Sequence, residues 1–534
     1  MATPAKPVLN LPDFHNEPYA DFTRPENRRR MEEAQAKVRA NLGHEYALII
    51  AGERVHTDDK LTSLNPARPT EVVGIHQKAT PELASHAVET AYSNFTRWSR
   101  TPAEDRIRMA LRTAELIRQR KFEFDAWLVF EAGKTWPEAE AEVSEAIDFC
   151  EYYAREMARL TEPQPVVQLS GERDEMRYLP LGVGIVIPPW NFALAILCGM
   201  TVAALVTGNT VIIKPSSETP TIAAIFAETL LEAGFPPESF SFLTGSGAAI
   251  GDLLVSHQKT RFVSFTGSRD VGLHINELAA KPRKGQIWIK RVVAEMGGKD
   301  AIIVDGECDL DAAVEGVAAS AFGYQGQKCS ACSRAIVHEK VYDSFIEKLR
   351  ARTEKIAVGP PDDPMYYMGP VISAGAKRSI LQYVAIGKTE GRLLTGGHAA
   401  EGDGYFIQPT VIADVSPGAR IFQEEIFGPV LAVTKAKTFD EALAMANDSQ
   451  YGLTGAIYSN NAEHIERARE QFFVGNLYIN RKCTGAMVGA HPFGGFNMSG
   501  TDSKAGGPDY LLLFLQAKSI GEKVTALPRP VGGE

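Results

Sequence analysis

GVGIVI at residues 182–187, TVIIK at 210–214, FSFLTG at 240–245 and RFVSFTG at 261–267 decide the fold. Each is a short run rich in β-branched or aromatic residues, and each is followed by a longer stretch with a helical pattern. Strands that alternate with helices in this way predict parallel βαβ units with both faces of the sheet covered. The sequence therefore predicts an α/β fold of the kind that binds nucleotides.

A second alternation begins after AEMGGK at residues 294–299. DAIIVD at 300–305 is a predicted strand, residues 309–321 are a predicted helix, and residues 333–353 are a strand followed by a helix. We therefore place a domain boundary near Gly297 and Gly298. Catalytic residues on either side of this boundary would meet in an interdomain cleft.

The first 180 residues carry a different pattern. Residues 24–43 resemble a surface helix that ends at Gly43 and follows a polar tail, and residues 46–78 read as an antiparallel meander. Longer helices are predicted over 81–97, 104–132 and 137–160.

Composition limits the classes of protein that the chain can be. Its 534 residues carry 66 acidic and 56 basic side chains, a net charge of −10, and 44% of the residues are hydrophobic. These values are ordinary for a globular protein and exclude a disordered or fibrous one. An acidic chain without a block of like charge has no electrostatic footprint for nucleic acid or an anionic membrane, which favours a small-molecule partner.

Cysteine content and the N-terminal residues predict a cytoplasmic protein. Six cysteines are far fewer than a disulfide scaffold needs, so free thiols in a reducing compartment are expected. The first residues, MATPAKPVLNLPDF, have neither the charged nor the apolar region of a secretory signal. Residues 193–213 carry no charge, but TGNT at 207–210 interrupts them, which favours a buried helix, a turn and a strand over a membrane span.

Several common motifs are incomplete. EAGKT at 131–135 ends like a P-loop, but Leu128 stands where the first glycine is needed. The glycines at 182 and 184 lack the third glycine of the usual dinucleotide fingerprint, and no HExxH or second CxxC completes a metal site. No metal is therefore expected.

Cys329 is the first catalytic candidate. In FGYQGQKCSACSR at 322–334 it follows a polar turn, and the neighbouring Lys328 would favour its thiolate. A structural cysteine, or a redox pair with Cys332, is the alternative.

Two further candidates flank the predicted cleft. Glu295 lies beside the domain boundary, where burial would raise its pKa into the range of a general base; the alternative is a surface carboxylate at a strand end. Asn191 in PPWNFAL at 188–194 would present an amide to a developing oxyanion, or would only cap a helix.

Two strand-to-helix turns carry polar candidates. In KPSSETP at 214–220, Lys214 and Glu218 would bind sugar hydroxyls or would only decorate a loop. In FTGSRDVG at 265–272, Gly267 and Ser268 lie where an anion could bind a helix N-terminus.

Taken in order, PWNF, KPSSE, FTGSxxVG, EMGGK, GQKC, EEIFGPV and PFGG strongly resemble the NAD(P)-dependent aldehyde dehydrogenase superfamily, from about residue 46 to 520. The resemblance implies a Rossmann-like cofactor domain, an α/β catalytic domain and a small β oligomerisation arm. We assign residues 1–296 to the N-terminal segment and NAD-binding domain, 297–508 to the catalytic domain and 509–534 to a C-terminal strand and tail. The arm would combine a hairpin at about 163–181 with a strand at about 509–523, and it makes a homo-oligomer, a dimer or a multiple of dimers, the expected state.

The same resemblance assigns roles. It implies that Cys329 is the nucleophile, Glu295 the general base, and Asn191 with the backbone N–H of Cys329 the oxyanion site. EMGGK departs modestly from the family, in which leucine is commoner than Met296. The implied cofactor-binding positions are Pro189, Trp190, Lys214, Ser217, Glu218, Gly247, Gly267, Ser268, Glu425 and Phe427.

The implied reaction is attack of the Cys329 thiolate on an aldehyde, hydride transfer to leave a thioester, and hydrolysis by water that Glu295 activates. Members that transfer the acyl group to CoA typically lack this glutamate, so a free acid is the expected product. Glu218 would repel a 2′-phosphate, which favours NAD over NADP, although Ser217 and Lys214 would allow weaker use of NADP.

Residues 480–511, GQKCSACSR and the acidic helix at 138–149 are similar to the 1-pyrroline-5-carboxylate dehydrogenase branch, which oxidises L-glutamate γ-semialdehyde in proline catabolism. Cationic groups and backbone N–H donors would bind the substrate carboxylate, either Glu142 or the favoured Glu145 its ammonium, and two phenylalanines its aliphatic stem. The expected substrate-binding set is Lys328, Ser330, Gly485, Ala486, Phe493, Phe192 and Glu145. An enzyme for another semialdehyde, such as succinate semialdehyde, and a non-catalytic member of the superfamily remain the alternatives.

Overall fold

The computed structural model describes residue 9 and residues 11–524. Its helices are α1 Pro25–Arg39, α2 Pro81–Trp98, α3 Ala103–Gln119, α4 Lys121–Ala132, α5 Trp136–Thr161, α6 Ala195–Val206, α7 Pro220–Glu232, α8 Asp252–Ser256, α9 Arg269–Ala280, α10 Leu310–Phe322, α11 Glu339–Thr353, α12 Ala374–Glu390, α13 Arg420–Gln423, α14 Phe439–Asn447 and α15 Ala462–Gln471.

The first ten strands are β1 His44–Tyr46, β2 Leu48–Ile50, β3 Glu53–Val55, β4 Lys60–Asn65, β5 Arg68–Gln77, β6 Glu172–Pro180, β7 Val183–Ile187, β8 Thr210–Ile213, β9 Phe240–Phe242 and β10 Thr260–Thr266. The others are β11 Arg291–Glu295, β12 Asp300–Val304, β13 Cys332–His338, β14 Arg392–Thr395, β15 Thr410–Ala413, β16 Val430–Ala436, β17 Tyr451–Gly452, β18 Thr454–Tyr458, β19 Asn476–Ile479, β20 Phe496–Asn497 and β21 Leu515–Lys523.

The runs at 182–187, 210–214, 240–245 and 261–267 form β7, β8, β9 and β10 of one seven-stranded sheet. Its strand order is β11-β10-β7-β8-β9-β2-β3. The first five strands in this order are parallel. Strand order reverses between β7 and β10, because β8 and β9 follow on one side of β7 and β10 and β11 on the other. A reversal of this kind opens a crevice at the carboxyl ends of the strands, where α/β proteins bind their ligands. The predicted α/β class is confirmed.

The predicted meander over residues 46–78 is wrong in its connections. The hairpin of β2 and β3 pairs with β9 and extends the first sheet. The antiparallel strands β4 and β5 form a separate three-stranded sheet, in which β1 is parallel to β5.

Helix boundaries differ from the expectation by more than one residue in two places. Residues 104–132 form two helices, because Arg120 leaves the helical region at φ −107° and ψ 23°. The first helix ends at Arg39 rather than at Gly43. The uncharged stretch at 193–213 forms α6, a turn with Gly208 at φ 92°, and β8, and nearly all of it is buried inside the protein.

The second sheet is built from the chain after Gly298. Its seven strands have the order β14-β15-β16-β13-β12-β18-β19, and all neighbours are parallel except β14 and β15. The two large sheets therefore lie on either side of the proposed boundary in the sequence. The domain limits themselves stay a prediction.

The expected arm has one strand from each segment instead of an internal hairpin. Residues 163–170 form no strand, and β6 pairs antiparallel with β21 along its whole length, from Leu515 opposite Pro180 to Lys523 opposite Glu172. Residues 510–514 form a short 3₁₀ helix, so the C-terminal strand begins later than expected. The prolines at 163 and 165 cannot donate ladder hydrogen bonds, which disfavours the missing strand.

None of the helices in the described part of the chain has the length and apolar character that a membrane crossing requires.

Candidate active site

Cys329 lies in the turn between α10 and β13, and the backbone before it is held in an uncommon conformation. Tyr324, Gln325 and Gly326 have φ values of 47°, 57° and 67°. The left-handed region is costly for side chains other than glycine and persists only where neighbours hold it. Tyr324 Oη donates to Ala132 O at 3.0 Å, and Gln325 Nε2 donates to Pro370 O at 2.8 Å. Two buried side chains therefore aim the turn that carries the thiol.

Asn191 follows β7 and reaches the same turn. Its side chain is buried, and Nδ2 donates to Gln327 O at 3.0 Å, two residues before Cys329. It does not cap α6, because the residue at the N-cap is Leu194. The amide has a second hydrogen on Nδ2, which leaves a donor for a ligand oxygen near the nucleophile turn.

The surroundings of Cys329 favour its neutral thiol over the thiolate. Burial raises its pKa well above the usual value, and the carboxyl groups of Asp300, Glu295 and Glu425 raise it further. Lys328 does not supply the expected thiolate stabilisation, because its Nζ pairs with the carboxylate of Glu138 at 2.6 Å.

The redox pair is disfavoured by the orientation of the second thiol. Cys332 is buried in β13, and its Sγ donates to Arg334 O at 3.5 Å. The thiol of Cys332 also has a hydrogen-bonding neighbour in Cys483, so it faces a different sulfur from that of Cys329.

Glu295 is the last residue of β11, and residues from the C-terminal part of the chain hydrogen-bond to its carboxylate. Its Oε1 accepts hydrogen bonds from Ser503 Oγ at 2.7 Å and Ser503 N at 3.2 Å, and Oε2 accepts one from Gly495 N at 3.3 Å. Burial raises the pKa of Glu295 to about 7, and these hydrogen bonds oppose the rise. A carboxyl group that titrates near neutrality is suited to general base chemistry.

Glu425 lies in the loop after α13 and contacts the glycines at the proposed domain boundary. Its Oε1 accepts a hydrogen bond from Gly298 N at 3.0 Å. Gly298 has to be glycine, because a Cβ there would collide with the carbonyl oxygen of Cys329. The glycines at the boundary thus let the cofactor-side carboxylate and the nucleophile turn approach each other closely.

Sequence reasoning missed a cluster of ionisable side chains next to Gly298. Asp300 and Lys299 are buried at the start of β12, and Asp300 Oδ1 accepts a hydrogen bond from Thr454 N at 2.7 Å. Burial raises the pKa of Asp300 to about 8 and lowers the pKa of Lys299 to about 7. The signal was the polar pair in GGKD at the start of an apolar strand.

The expected cofactor positions gather at the crevice where the strand order of the first sheet reverses. Pro189 and Trp190 follow β7, Lys214, Ser217 and Glu218 follow β8, Gly247 follows β9, and Gly267 and Ser268 follow β10. Lys214 is buried, and desolvation lowers its pKa to about 8. Glu218 is exposed.

Two features make the crevice suitable for a dinucleotide. The side chain of Ser268 makes no capping hydrogen bond to α9, so the helix offers exposed N–H groups to an anion. The second feature is an aromatic pair: the rings of Trp190 and Phe427 meet edge to face, with their centroids 5.5 Å apart.

One contact links the segment before Gly485, an expected substrate residue, to the nucleophile turn. Ser330 is buried, and its carbonyl accepts a hydrogen bond from Cys483 Sγ at 3.3 Å, two residues before Gly485. Gly485 has φ 78°, and its carbonyl accepts from Arg481 Nη2 at 2.9 Å. Phe493 pairs through its backbone with Ala505. Ala486 is partly exposed next to Gly485.

Sequence reasoning missed a buried ion pair that contacts the ring of Phe192. Lys134 Nζ lies 2.9 Å from Glu142 Oε2, and both side chains are fully buried. The ammonium also lies 4.2 Å from the ring centroid of Phe192. Glu142 Oε1 accepts from the backbone N of Leu194 at 2.7 Å and of Ala195 at 3.2 Å, at the start of α6.

This pair occupies one of the two glutamates proposed for a substrate ammonium, and Glu145 stays a prediction. Glu142 is taken by Lys134 and the start of α6, whereas Glu145 is partly exposed. Burial and the charge of Glu142 raise the pKa of Glu145 to about 8. The lysine is the one in the incomplete P-loop motif, and its burial explains that motif without a phosphate.

We expect Glu142→Gln to lower the free energy of unfolding by about 3 kcal/mol, because it leaves Lys134 charged and unpaired in the interior. The amide still accepts a hydrogen bond from the start of α6, so the loss reports on the charge. Guanidinium denaturation measures it. The double variant Lys134→Met with Glu142→Gln should recover most of the loss, and Glu277→Gln in the exposed pair with Lys281 should cause none. Equal stability of the single and double variants would contradict this account.

No group of three or more histidine, cysteine, aspartate or glutamate side chains within residues 11–524 has the arrangement of a metal site.

Comparison with known proteins gives a consistent result. The model of the aldehyde dehydrogenase family matches residues 54–520. The 1-pyrroline-5-carboxylate dehydrogenase of Geobacillus thermodenitrificans is 58% identical over 509 residues, which are 95% of this chain and 99% of that protein.

Solved structures agree in fold. The 1-pyrroline-5-carboxylate dehydrogenase from Thermus with bound NAD has a TM-score of 0.95 and 51% identity, over 96% of this chain and 100% of that chain. Proline utilization A from Bdellovibrio bacteriovorus has a TM-score of 0.95 and 42% identity, over 98% of this chain and 54% of that larger chain. Sequence, fold and site geometry lead to one conclusion: the chain belongs to the aldehyde dehydrogenase family and is an oxidoreductase.

Proposed function

We propose that this protein oxidises L-glutamate γ-semialdehyde, the open form of 1-pyrroline-5-carboxylate, to L-glutamate with NAD. The observation that carries the proposal is the meeting of Cys329, Asn191 and Glu295 beside the crevice of the first sheet. Relatives that are 1-pyrroline-5-carboxylate dehydrogenases and cover nearly the whole chain support the substrate. The three intact residues argue against a non-catalytic member.

Cys329 forms the first bond. Its proton passes to a water molecule, its sulfur adds to the aldehyde carbon, and the electron pair of the C=O π bond moves to the oxygen, which becomes an oxyanion. Asn191 Nδ2 and the backbone N–H of Cys329 supply donors that are already positioned and need little reorganisation when the charge develops. The result is a thiohemiacetal on Cys329.

NAD, when bound, supplies the acceptor for the hydride that leaves the substrate carbon. Lys214, Ser217, Glu218, Ser268, Glu425 and Phe427 are the side chains that we propose to hold it. Glu218 disfavours a second phosphate on the adenosine ribose, so we propose NAD as the main cofactor and weaker use of NADP.

Glu295 acts after oxidation. It takes a proton from a water molecule, whose oxygen attacks the thioester carbon. The C–S bond breaks, the carboxylic acid is released, and the Cys329 thiolate takes the proton back from Glu295. The hydrogen bonds from Ser503 and Gly495 hold the carboxylate under the 494–503 loop, so it has to turn toward the sulfur to reach that water.

The remaining side chains suit an amino acid at the other end of the substrate. The turn at Gly485 and Ala486 offers backbone N–H groups to a carboxylate, and Lys328 and Ser330 flank the nucleophile. Glu145 offers an acceptor for an ammonium group, and Phe192 and Phe493 wall the stem. This set is a proposal from position and chemistry.

The arm supports the proposal that the protein is an oligomer. The strands β6 and β21 form a two-stranded sheet apart from the large sheets, and a pair of strands is marginal on its own in water. Val167 and Leu169 beside it are 84% and 57% exposed. We propose that the arm packs on a second copy of the chain in a homo-oligomer, and that the enzyme works in the cytoplasm.

The test is cofactor reduction followed by absorbance. We expect kcat/KM for 1-pyrroline-5-carboxylate to exceed kcat/KM for succinate semialdehyde by about 100-fold, because the second substrate lacks the ammonium group and leaves Glu145 unpaired. Both substrates are assayed on one enzyme preparation with NAD and then with NADP. A preference for succinate semialdehyde would replace the proposed substrate with the alternative one.

A further inference from the structure

Residues 11–24, which we call the N-terminal strap, contain no strand and no helix, yet they are held firmly across α5. Asn16 Nδ2 donates to Asp148 Oδ2 at 2.8 Å, and Glu17 N donates to Asp148 Oδ1 at 2.6 Å. Further along, Ala20 N donates to Glu140 Oε1 at 2.7 Å. Residues 11–24 of the predicted polar tail are therefore an ordered part of the fold.

The strap also holds the loop that follows the proposed anion-binding turn. Three consecutive residues of this loop, Met487, Val488 and Gly489, each contact it. The contacts are Tyr19 Oη to Met487 Sδ at 3.5 Å, Asn16 Nδ2 to Val488 O at 3.0 Å, and the ring of Phe14, which lies 3.1 Å from where a Cβ of Gly489 would stand. Asn16 thus ties the loop and α5 together through one amide group.

Tyr19 lies where the strap, the loop and the acidic face of α5 meet. Its side chain is 54% exposed, and within residues 11–524 its hydroxyl makes one hydrogen bond, to a sulfur atom, which is a weak acceptor. Burial of the hydroxyl and the charges of Glu145, Asp148 and Glu140 raise the pKa of Tyr19 to about 12. The phenol is therefore neutral and keeps its lone pairs free, and the carboxyl groups around it offer further acceptors to a cation.

We infer that the strap is part of the substrate site and that Tyr19 is a specificity-determining residue for an α-amino acid group. An amino acid presents a carboxylate and an ammonium a fixed distance apart, so its recognition needs an anion-binding turn and cation acceptors held in register. Asn16 holds the turn and α5 in register, and Tyr19 accepts a hydrogen bond from the ammonium beside Glu145. The inference rests on the proposed function and names new residues for it.

Three variants and one control test the inference. Tyr19→Phe removes only the hydroxyl, Tyr19→Ala removes the ring, and Asn16→Ala releases the loop. Tyr92→Phe is the matched control, because Tyr92 is 39% exposed on α2, where it contacts Lys259. For each protein we measure kcat and KM with 1-pyrroline-5-carboxylate and with propanal, together with the Kd of L-glutamate by calorimetry.

The expected signature is a change in KM for one substrate. Tyr19→Phe and Tyr19→Ala should raise KM for 1-pyrroline-5-carboxylate and the Kd of L-glutamate about tenfold, as loss of a hydrogen bond to a charged group does. Asn16→Ala should act in the same direction. The kcat values, KM for propanal and all constants of Tyr92→Phe should stay within about twofold, the scatter expected where no interaction is lost.

The contrary results are distinguishable. Equal changes for both aldehydes, or no change in any Tyr19 and Asn16 variant of an enzyme that does oxidise 1-pyrroline-5-carboxylate, would leave the strap a structural role only and overturn the inference alone. A wild-type protein that neither oxidises 1-pyrroline-5-carboxylate nor binds L-glutamate would overturn the proposed function and the inference together.

Discussion

Replacing Cys329 with alanine should lower kcat by a factor on the order of 10⁴ or more, because the covalent intermediate has no other atom on which to form. Binding of NAD should be preserved, since the crevice is built from the ends of β7, β8 and β10 and not from the nucleophile turn. Steady-state assays measure the first effect, and quenching of tryptophan fluorescence by NAD measures the second.

Cys308→Ala provides the matched control. Cys308 is the other cysteine with partial exposure among the described residues, and it lies in the loop before α10, outside the nucleophile turn. We expect that variant to keep wild-type kcat. Oxidation at more than about one per cent of the wild-type rate in Cys329→Ala would remove this thiol from the mechanism, since loss of a nucleophile costs far more.

The fold was predictable where local patterns carry it. Buried parallel strands favour β-branched and apolar runs. In the sequence β8 and β12 show them almost without a break, and β7, β10 and β13 contain shorter ones. The arm was not predictable in this way. VVQL at 166–169 has the local pattern of a strand but forms none, and β6 pairs instead with a segment more than 330 residues away in the sequence. The helix break at Arg120, between α3 and α4, has no proline or glycine by which the sequence could have predicted it.

The candidate site divides in the same way. Cys329, Glu295 and Asn191 lie in distinctive motifs, so the sequence identifies them. Their surroundings depend on contacts between distant segments, which a single sequence does not display. Lys328 is an example. Its adjacency to Cys329 in the sequence suggested a stabilised thiolate, but in the folded chain it pairs with Glu138.

Glu295→Gln should separate the two halves of the reaction. Acylation of Cys329 and the oxidation of one equivalent of substrate should proceed, because they need the thiol and Asn191. Turnover should then fall about 10³-fold, since the amide cannot accept a proton from water. Rapid mixing would show a burst of about one NADH per active site followed by a slow phase, as expected when an acyl-enzyme accumulates.

The acid–base properties of this carboxyl group give the same hypothesis a second test. Burial raises the pKa of Glu295 to about 7, so the group is protonated below that pH and cannot act as a base. Wild-type deacylation should therefore rise as pH increases through about 7 and then level off, and Glu295→Gln should show no such rise. Ser503→Ala removes the hydrogen bond from Ser503 Oγ that favours the charged form, so the rise should move to higher pH. Intact-protein mass spectrometry of Glu295→Gln during turnover should show the thioester on Cys329. An acyl-enzyme that hydrolyses at the wild-type rate in that variant would assign the base to another group.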